Sequence, residues 1–400
     1  MSARLLILTA GFGEGHNAAA RAIAAASDRC HGPGAALIVD AFALASPRAN
    51  AVLRRGYLAM INGTPRAWSA VYAWIDRSAI FPRALWLLRR ETRVLEAIIA
   101  REKPAVICST YPVYAFIIEK LVREGRCNVP HFNVVTDSIS LNSLWWRAGC
   151  TGWFLPNEDS AEVLRHAGVE PGRLHVSGFP VTPFFSDHAD EFSPPDLIAG
   201  AAPRVLYIIN SGTKNAAETA RRLLAETNWE ITCAVGRDEG LRRSLTRLAS
   251  GRARPARILG WTNQIPQLLM THHVVVSKAG GATTQEAIAA RCPMIVNQIV
   301  PGQEEGNYEL LRRHGIGALA ETPGAVIHSL RHAFADRGRL WQHWREALVP
   351  LARPDAARTI ADHLLSSPFP PTPPATCHLL SDILAERGIQ PKDRPKTVAL

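Results

Sequence analysis

Val274-Val275-Val276-Ser277-Lys278-Ala279-Gly280-Gly281-Ala282-Thr283-Thr284-Gln285-Glu286-Ala287 is the stretch on which the fold of this chain is decided. A short apolar run of β type ends at Ser277, two glycines follow, and a helical pattern opens. Gly280 and Gly281 free backbone N–H groups to face an anion, Thr283 and Thr284 bring hydroxyl donors, and the helix dipole favours negative charge at that end. Such a turn suits a diphosphate, and Lys278 is counted among the residues that bind the ligand there. Glu286, about one turn inside the helix, places a carboxylate where ribose hydroxyls could donate to it. After the next strand comes Val300-Pro301-Gly302-Gln303-Glu304-Glu305-Gly306-Asn307, a rigid turn ending in adjacent polar side chains suited to sugar hydroxyls. Either loop alone also reads as a plain strand-to-helix turn; their tandem placement at the ends of successive strands weakens that reading.

The same rhythm runs through most of the chain. Apolar β-type runs occur at Leu5–Thr9, Leu37–Asp40, Val106–Ser109, Phe132–Thr136 and Gly152–Leu155. A second set follows at Val205–Ile209, Ile231–Val235, Arg257–Leu259, Val274–Ser277 and Met294–Val296. Strands alternating with helices imply βαβ units, parallel sheets and ligand sites at the carboxyl ends of strands. Two sets imply two sheets in an α/β chain of two domains, 1–185 and 200–365, separated by a segment with Pro183, Pro194, Pro195 and Pro203. A tail follows over 366–400, opening with the proline-dense SSPFPPTPPAT of Ser366–Thr376.

With 400 residues, 47% hydrophobic and 20% charged, the chain is long enough for two cores and unlike a disordered protein. Seven scattered cysteines form no C-x-x-C pair, which points to reduced thiols in a reducing compartment rather than a zinc ribbon or disulfide framework. No apolar run approaches the roughly 18 residues that span a bilayer. The apolar start Leu5–Leu8 is too short for a signal sequence, so a cytoplasmic location is expected. The net charge of +10 favours anionic partners: nucleic acid, anionic lipid or phosphorylated substrates.

Gly11-Phe12-Gly13-Glu14-Gly15-His16 follows the first strand and precedes an alanine-rich helix. Gly13 and Gly15 would let a ligand approach the backbone, and His16 would stand at the mouth of the sheet, where a general base is useful. A dinucleotide site would look similar, and Asp40 ends the second strand as such a site requires, so that reading stays open here. Between the second and third strands lies an insertion, about 47–103, with proline helix starts at Thr64-Pro65 and Phe81-Pro82. Trp68, Tyr72, Ile75 and Ala79 recur at helical spacing, as do Leu85, Leu88, Leu95 and Ile98–Ile99; Trp74 and Trp86 lie among them. Across 48–93 the charges are mainly arginine, including Arg66, Arg77, Arg89 and Arg90, against the acids Asp76 and Glu91. Basic helices interleaved with aromatics suit an anionic membrane surface. Equally, the aromatics could be core and the arginines a solvated face.

Together these motifs resemble a known family. Leu259–Met270 (LGWTNQIPQLLM), Ser277–Ala287 (SKAGGATTQEA) and Pro301–Asn307 (PGQEEGN) resemble the donor domain of glycosyltransferase family 28. LTAGFGEGHNAAA (Leu8–Ala20) and Phe132–Asp137 (FNVVTD) resemble the acceptor domain of monogalactosyldiacylglycerol synthases and processive diacylglycerol glucosyltransferases. The resemblance implies a GT-B fold, with the active site between the two domains. It implies a UDP-sugar donor, with Trp261 bordering the uracil, Gly280–Thr283 the diphosphate, Glu286 the ribose, and Gln303, Glu304 and Asn307 near the hexose. It further implies inversion at the anomeric carbon, with His16 as base and Asp137 orienting it or contacting the acceptor.

Ala279 stands where the family usually has proline, and Asn210–Lys214 is poorer in glycine than the family's corresponding loop. No Asp-x-Asp pair is present, so neither metal nor cofactor is expected. The activity implied is hexosyl transfer to a lipid hydroxyl, most simply diacylglycerol, by a protein peripheral at the inner face of the cell membrane. The alternatives are an N-acetylglucosamine transferase acting on another lipid-linked or lipopolysaccharide acceptor and a UDP-sugar epimerase. A non-catalytic nucleotide-binding module would not need His16, and nucleic acid is not the expected partner of the positive charge.

Overall fold

The structure, a computed structural model, describes residues 4–63, 84–210, 213–254, 256–300, 304–366, 368–370 and 372. The first sheet contains β1 (Leu5–Leu8), β2 (Ala36–Val39), β3 (Val106–Ser109), β4 (His131–Val134), β5 (Gly152–Leu155) and β6 (Leu174–Val176). The second contains β7 (Arg204–Ile208), β8 (Glu230–Ala234), β9 (Ala256–Leu259), β10 (Val274–Lys278), β11 (Met294–Gln298) and β12 (Ala318–Leu319). Their orders are β2-β1-β3-β4-β5-β6 and β12-β11-β10-β7-β8-β9, and the pairings are parallel. These are two Rossmann-like domains in the GT-B arrangement. β1, β3 and β5 are buried along their whole length, as parallel strands covered by helices on both faces must be.

The order of each sheet fixes where a site can form. The chain begins at β1, adds β2 on one side, then crosses to place β3 on the other, so the connections diverge between β1 and β3. Open α/β sheets bind ligands in that crevice. In the second sheet the equivalent point lies between β7 and β10, at the glycine turn after Lys278. The ten expected strands are present to within a residue or two at their ends. β6 and β12 were not expected: both are short edge strands with half-exposed residues, too weakly apolar to stand out.

The C-terminal helix Ala356–Ser366 departs from the expected domain limits. It follows the second domain in sequence but buries Ala357 and Ala361 against Ala22 and Ala26 of the first helix, Glu14–His31. Ile360, Leu364 and Leu365 join Leu5, Ile7 and Phe132 in the core of the first domain. Beyond it, Phe369 packs edge-on to Phe132 at 4.8 Å, and the Thr372 hydroxyl accepts from the His131 N–H at 2.8 Å. The chain therefore returns to its first domain.

In the insertion, the helices Pro47–Gly63 and Arg89–Glu102 flank residues outside the described set. Trp68, Trp74, Arg66 and Arg77, with both proline helix starts, lie outside it. Leu95, Ile98 and Ile99 are buried, so that apolar spacing marks a core face. Trp86 and Leu87 point outward at 59% and 62% exposure, beside the exposed Arg89 and Arg90. Val52 and Leu53 are exposed as well. Among the described residues no helix is long and apolar enough to cross a membrane, and the six described cysteines are free thiols.

Candidate active site

The first half of the site grows from the turn after β1. Gly13 holds a φ of +131°, which a side chain would resist. The Gly11 N–H donates to Asp40 Oδ2 at 3.1 Å, and the Ala43 N–H donates to Asp40 Oδ1 at 2.9 Å. Asp40 is thus committed to bracing the glycine turn and capping the helix Ala41–Ala45. That engagement weighs against the ribose-binding acid of a dinucleotide site.

His16 lies in the first turn of the helix Glu14–His31. Its Nδ1 is 2.6 Å from the Thr110 carbonyl oxygen, at the end of β3, and 2.8 Å from Thr136 Oγ1. A carbonyl can only accept, so Nδ1 carries the hydrogen and the lone pair of the neutral ring resides on Nε2. Burial pulls the imidazole below its ordinary pKa, opposed by the charge of Asp137 and by the Thr110 carbonyl. Asp137 is pushed up by burial, opposed by the charge of His16 and by Trp145, whose Nε1–H donates to Oδ2 at 2.8 Å. Thr110 and Thr136 therefore take the ring-orienting contacts at Nδ1, while Asp137 acts on His16 through its charge.

The sequence reading missed Thr110, Thr136 and Trp145, along with an aromatic wall beside the base. Tyr111 meets the His16 ring edge-on at 5.2 Å and stacks on Phe12 at 5.9 Å. Phe42 packs against both rings at near-right angles. The available signal was Thr110-Tyr111 at the end of the strand next to β1.

On the donor side, Gly280 caps the helix Gly281–Ala289 in an extended conformation, without a side-chain capping bond. Thr283 is partly exposed, but Thr284 is fully buried, its hydroxyl 3.8 Å from Met294 Sδ. The step of about 100° per helical residue separates them, so the expectation that the Thr284 hydroxyl faces an anion is corrected: it lies in the core. Lys278 Nζ donates to Glu304 Oε1 at 2.6 Å, and the Val300 N–H donates to Oε2 at 2.9 Å. Glu304, 6% exposed, is thereby held beside Gly280. Asn307 donates from Nδ2 to the Ala279 carbonyl at 3.0 Å and so braces the glycine turn from beneath. Burial pushes Glu286 up to about 7; Arg21 opposes the shift and Glu14 adds to it. Trp261 is 70% exposed, and Gln303 lies outside the described residues.

The two halves face one another. A Cβ on Gly15 would lie 3.9 Å from the Ala282 nitrogen, so the N-termini of the helices Glu14–His31 and Gly281–Ala289 nearly meet. Neither has a side-chain cap. Two positive dipole ends converging on one point beside the His16 ring favour negative charge there. Among the described residues no group of three His, Cys, Asp or Glu side chains is placed to hold a metal ion.

Comparison with known proteins agrees with this architecture. Residues 16–181 match the model of the monogalactosyldiacylglycerol (MGDG) synthase family. The resemblance drawn from the N-terminal motifs is thus borne out. A processive diacylglycerol beta-glucosyltransferase from Bacillus cytotoxicus is 22% identical over 366 residues, covering 90% of this chain and 93% of the relative. Among solved structures, MurG from Acinetobacter baumannii aligns with a TM-score of 0.58 at 12% identity, covering 91% of this chain and 100% of that one. A UDP-GlcNAc 2-epimerase from Neisseria meningitidis, solved with UDP-GlcNAc, aligns with a TM-score of 0.55 at 13% identity, covering 91% and 100%. Both structures share the fold.

Proposed function

We propose that this protein is an inverting glycosyltransferase that moves a hexose from a UDP-sugar to a lipid hydroxyl, that of diacylglycerol in the simplest case. The observation that carries this reading is the convergence of two uncapped helix N-termini beside a neutral histidine whose lone pair lies on Nε2. The names of the relatives and the match over 16–181 point to the same substrates.

In this reading UDP binds to the second domain. The exposed Trp261 ring stacks on the uracil, Glu286 accepts from the ribose, and Gly280–Thr283 with the facing dipole hold the diphosphate. Gln303 and Glu304 meet the hexose; Lys278 holds the Glu304 carboxylate in place, and Asn307 steadies the turn above. The acceptor hydroxyl approaches along the wall of Phe12, Phe42 and Tyr111. His16 Nε2 takes its proton as the oxygen attacks the anomeric carbon on the face opposite UDP. The bond to the β-phosphate oxygen breaks with its electron pair leaving on UDP, and the carbon inverts. Ionised Asp137 stabilises the imidazolium that forms. Fixed dipoles offset the charge on the departing UDP, so the reaction needs neither metal nor cofactor.

The protein acts from the cytoplasm at the inner face of the cell membrane. Trp86, Leu87, Val52 and Leu53 with Arg89 and Arg90 form the lipid-facing surface, to which Trp68, Trp74, Arg66 and Arg77 would add. Anionic lipid, rather than nucleic acid, answers the positive charge.

Incubation with a panel of UDP-hexoses and mixed anionic–diacylglycerol vesicles, with lipid products read by mass spectrometry, tests the proposal. A hexosyl-diacylglycerol formed in step with UDP release supports it. Conversion of the UDP-sugar without acceptor would instead indicate an epimerase, and transfer confined to UDP-N-acetylglucosamine and another lipid-linked acceptor would change the substrate assignment.

A further inference from the structure

Asp137 belongs to a turn on which the second domain rests. A Cβ on Gly306 would lie 1.9 Å from the Ser138 carbonyl oxygen and 2.6 Å from the Ser140 nitrogen, so only glycine lets the helix Glu305–Arg313 come so close. From the other donor-domain helix, buried Gln285 donates from Nε2 to Ser138 Oγ at 2.9 Å. The first domain holds the turn from behind: Asn157 Nδ2 donates to the same hydroxyl at 3.4 Å, and the Ile139 N–H donates to Ser160 Oγ at 3.2 Å.

Thr136 extends the connection in both directions. Its carbonyl oxygen stands 3.5 Å from where a Gly281 Cβ would be, and its hydroxyl faces His16 Nδ1 at 2.8 Å. Three consecutive residues thus link the phosphate turn and the Gly306 helix to the base. The turn is also strained: Ile139, a β-branched residue, has a φ of +55°, and the Ser140 N–H reaches the Ser138 carbonyl at 2.6 Å. Such a conformation persists only when its surroundings over-determine it, and much of that constraint here comes from the second domain.

We propose that Thr136–Ile139 is a positioning element through which the donor domain, seated on Ser138 by Gly306 and Gln285, sets Asp137 and His16 for proton transfer. The base is then correctly arranged only while the second domain rests on this turn. This inference rests on the reading of His16 as the base. Ser138, Gln285 and Gly306 touch no reacting atom and act through Asp137 and His16.

The test compares Gly306→Ala, Ser138→Ala and Gln285→Ala with the wild-type protein. Gly306→Ala should lower kcat by roughly tenfold to a hundredfold, because displacement of a catalytic group by about 1 Å has that order of effect. Calorimetric UDP affinity should fall far less than kcat, since the second domain supplies every UDP contact except the facing dipole of the helix Glu14–His31. The pH profile of kcat should shift, and amide hydrogen exchange over residues 137–141 should quicken. Ser138→Ala and Gln285→Ala should each show a smaller loss, with the double variant little worse than either, as expected of one shared contact. Wild-type kcat and exchange in Gly306→Ala would overturn the proposal, as would a fall in UDP affinity matching the fall in kcat. Should Gly306→Ala fail to fold, Ser138→Ala, which adds no atoms, decides by the same readouts. A wild-type protein without UDP affinity would refute the transferase reading instead, while the exchange comparison would still report on the contact.

Discussion

Glu286→Gln offers a test in which sign and size both follow from the structure. The carboxyl moves from an ordinary 4.5 to about 7 because burial disfavours its charged form. A raised folded-state pKa means that the folded protein binds the extra proton between those values. The associated stability is therefore fully present below pH 4.5 and is lost as pH rises through about 7. A shift of this size corresponds to about 2–3 kcal/mol between pH 5 and pH 8, at about 1.4 kcal/mol per pH unit. Glutamine keeps the shape but cannot ionise, so the variant should be more stable relative to wild type at pH 8 than at pH 5 by about that amount. Urea unfolding of both proteins at the two pH values measures it. An equal stability difference at both would refute the argument that burial in the cleft sets this carboxyl's protonation. The same group predicts a ligand effect: ribose hydroxyls donate to the ionised form, so UDP affinity should weaken below pH 7 in the wild type and lose that dependence in the variant.

Four further outcomes are expected. His16→Ala should lower kcat by about 10²–10⁴-fold with calorimetric UDP affinity retained. Trp145→Phe removes the donor to Asp137 Oδ2, so the acid limb of the kcat profile should move to higher pH as the carboxyl becomes harder to ionise. Lys278→Met leaves the buried Glu304 without its cation; denaturant unfolding should show a loss of about 3 kcal/mol, and the KM for UDP-sugar should rise. Combining Trp86→Ser with Arg89→Glu and Arg90→Glu should reduce sedimentation with anionic vesicles and its salt sensitivity while sparing UDP binding.

Much of this arrangement is legible in the sequence because parallel strands buried on both faces read as unbroken apolar runs, and the glycine turns sit directly at their ends. Ser277–Gly281 and Gly11–His16 could be placed at a cleft on that basis alone. Pairings across the chain could not. That Thr110 and not Asp137 would take His16 Nδ1 depends on β3 lying beside β1, a matter of sheet order. Thr284 reads as an anion ligand in a string of letters and becomes a core residue once helical phase is applied. Lys278 and Glu304 form their ion pair only because β10 and β11 are neighbours, and the return of Ala356–Ser366 to the first domain is written in small residues that have no meaning without their partners.

The anomeric configuration of the product tests the central claim most directly. Glycolipid purified after reaction of an α-linked UDP-hexose with diacylglycerol vesicles, examined by proton NMR, should be the β-glycoside, because His16 and the diphosphate turn leave the acceptor to attack opposite UDP. An α-linked product, or UDP released with no sugar on the lipid, would contradict the account.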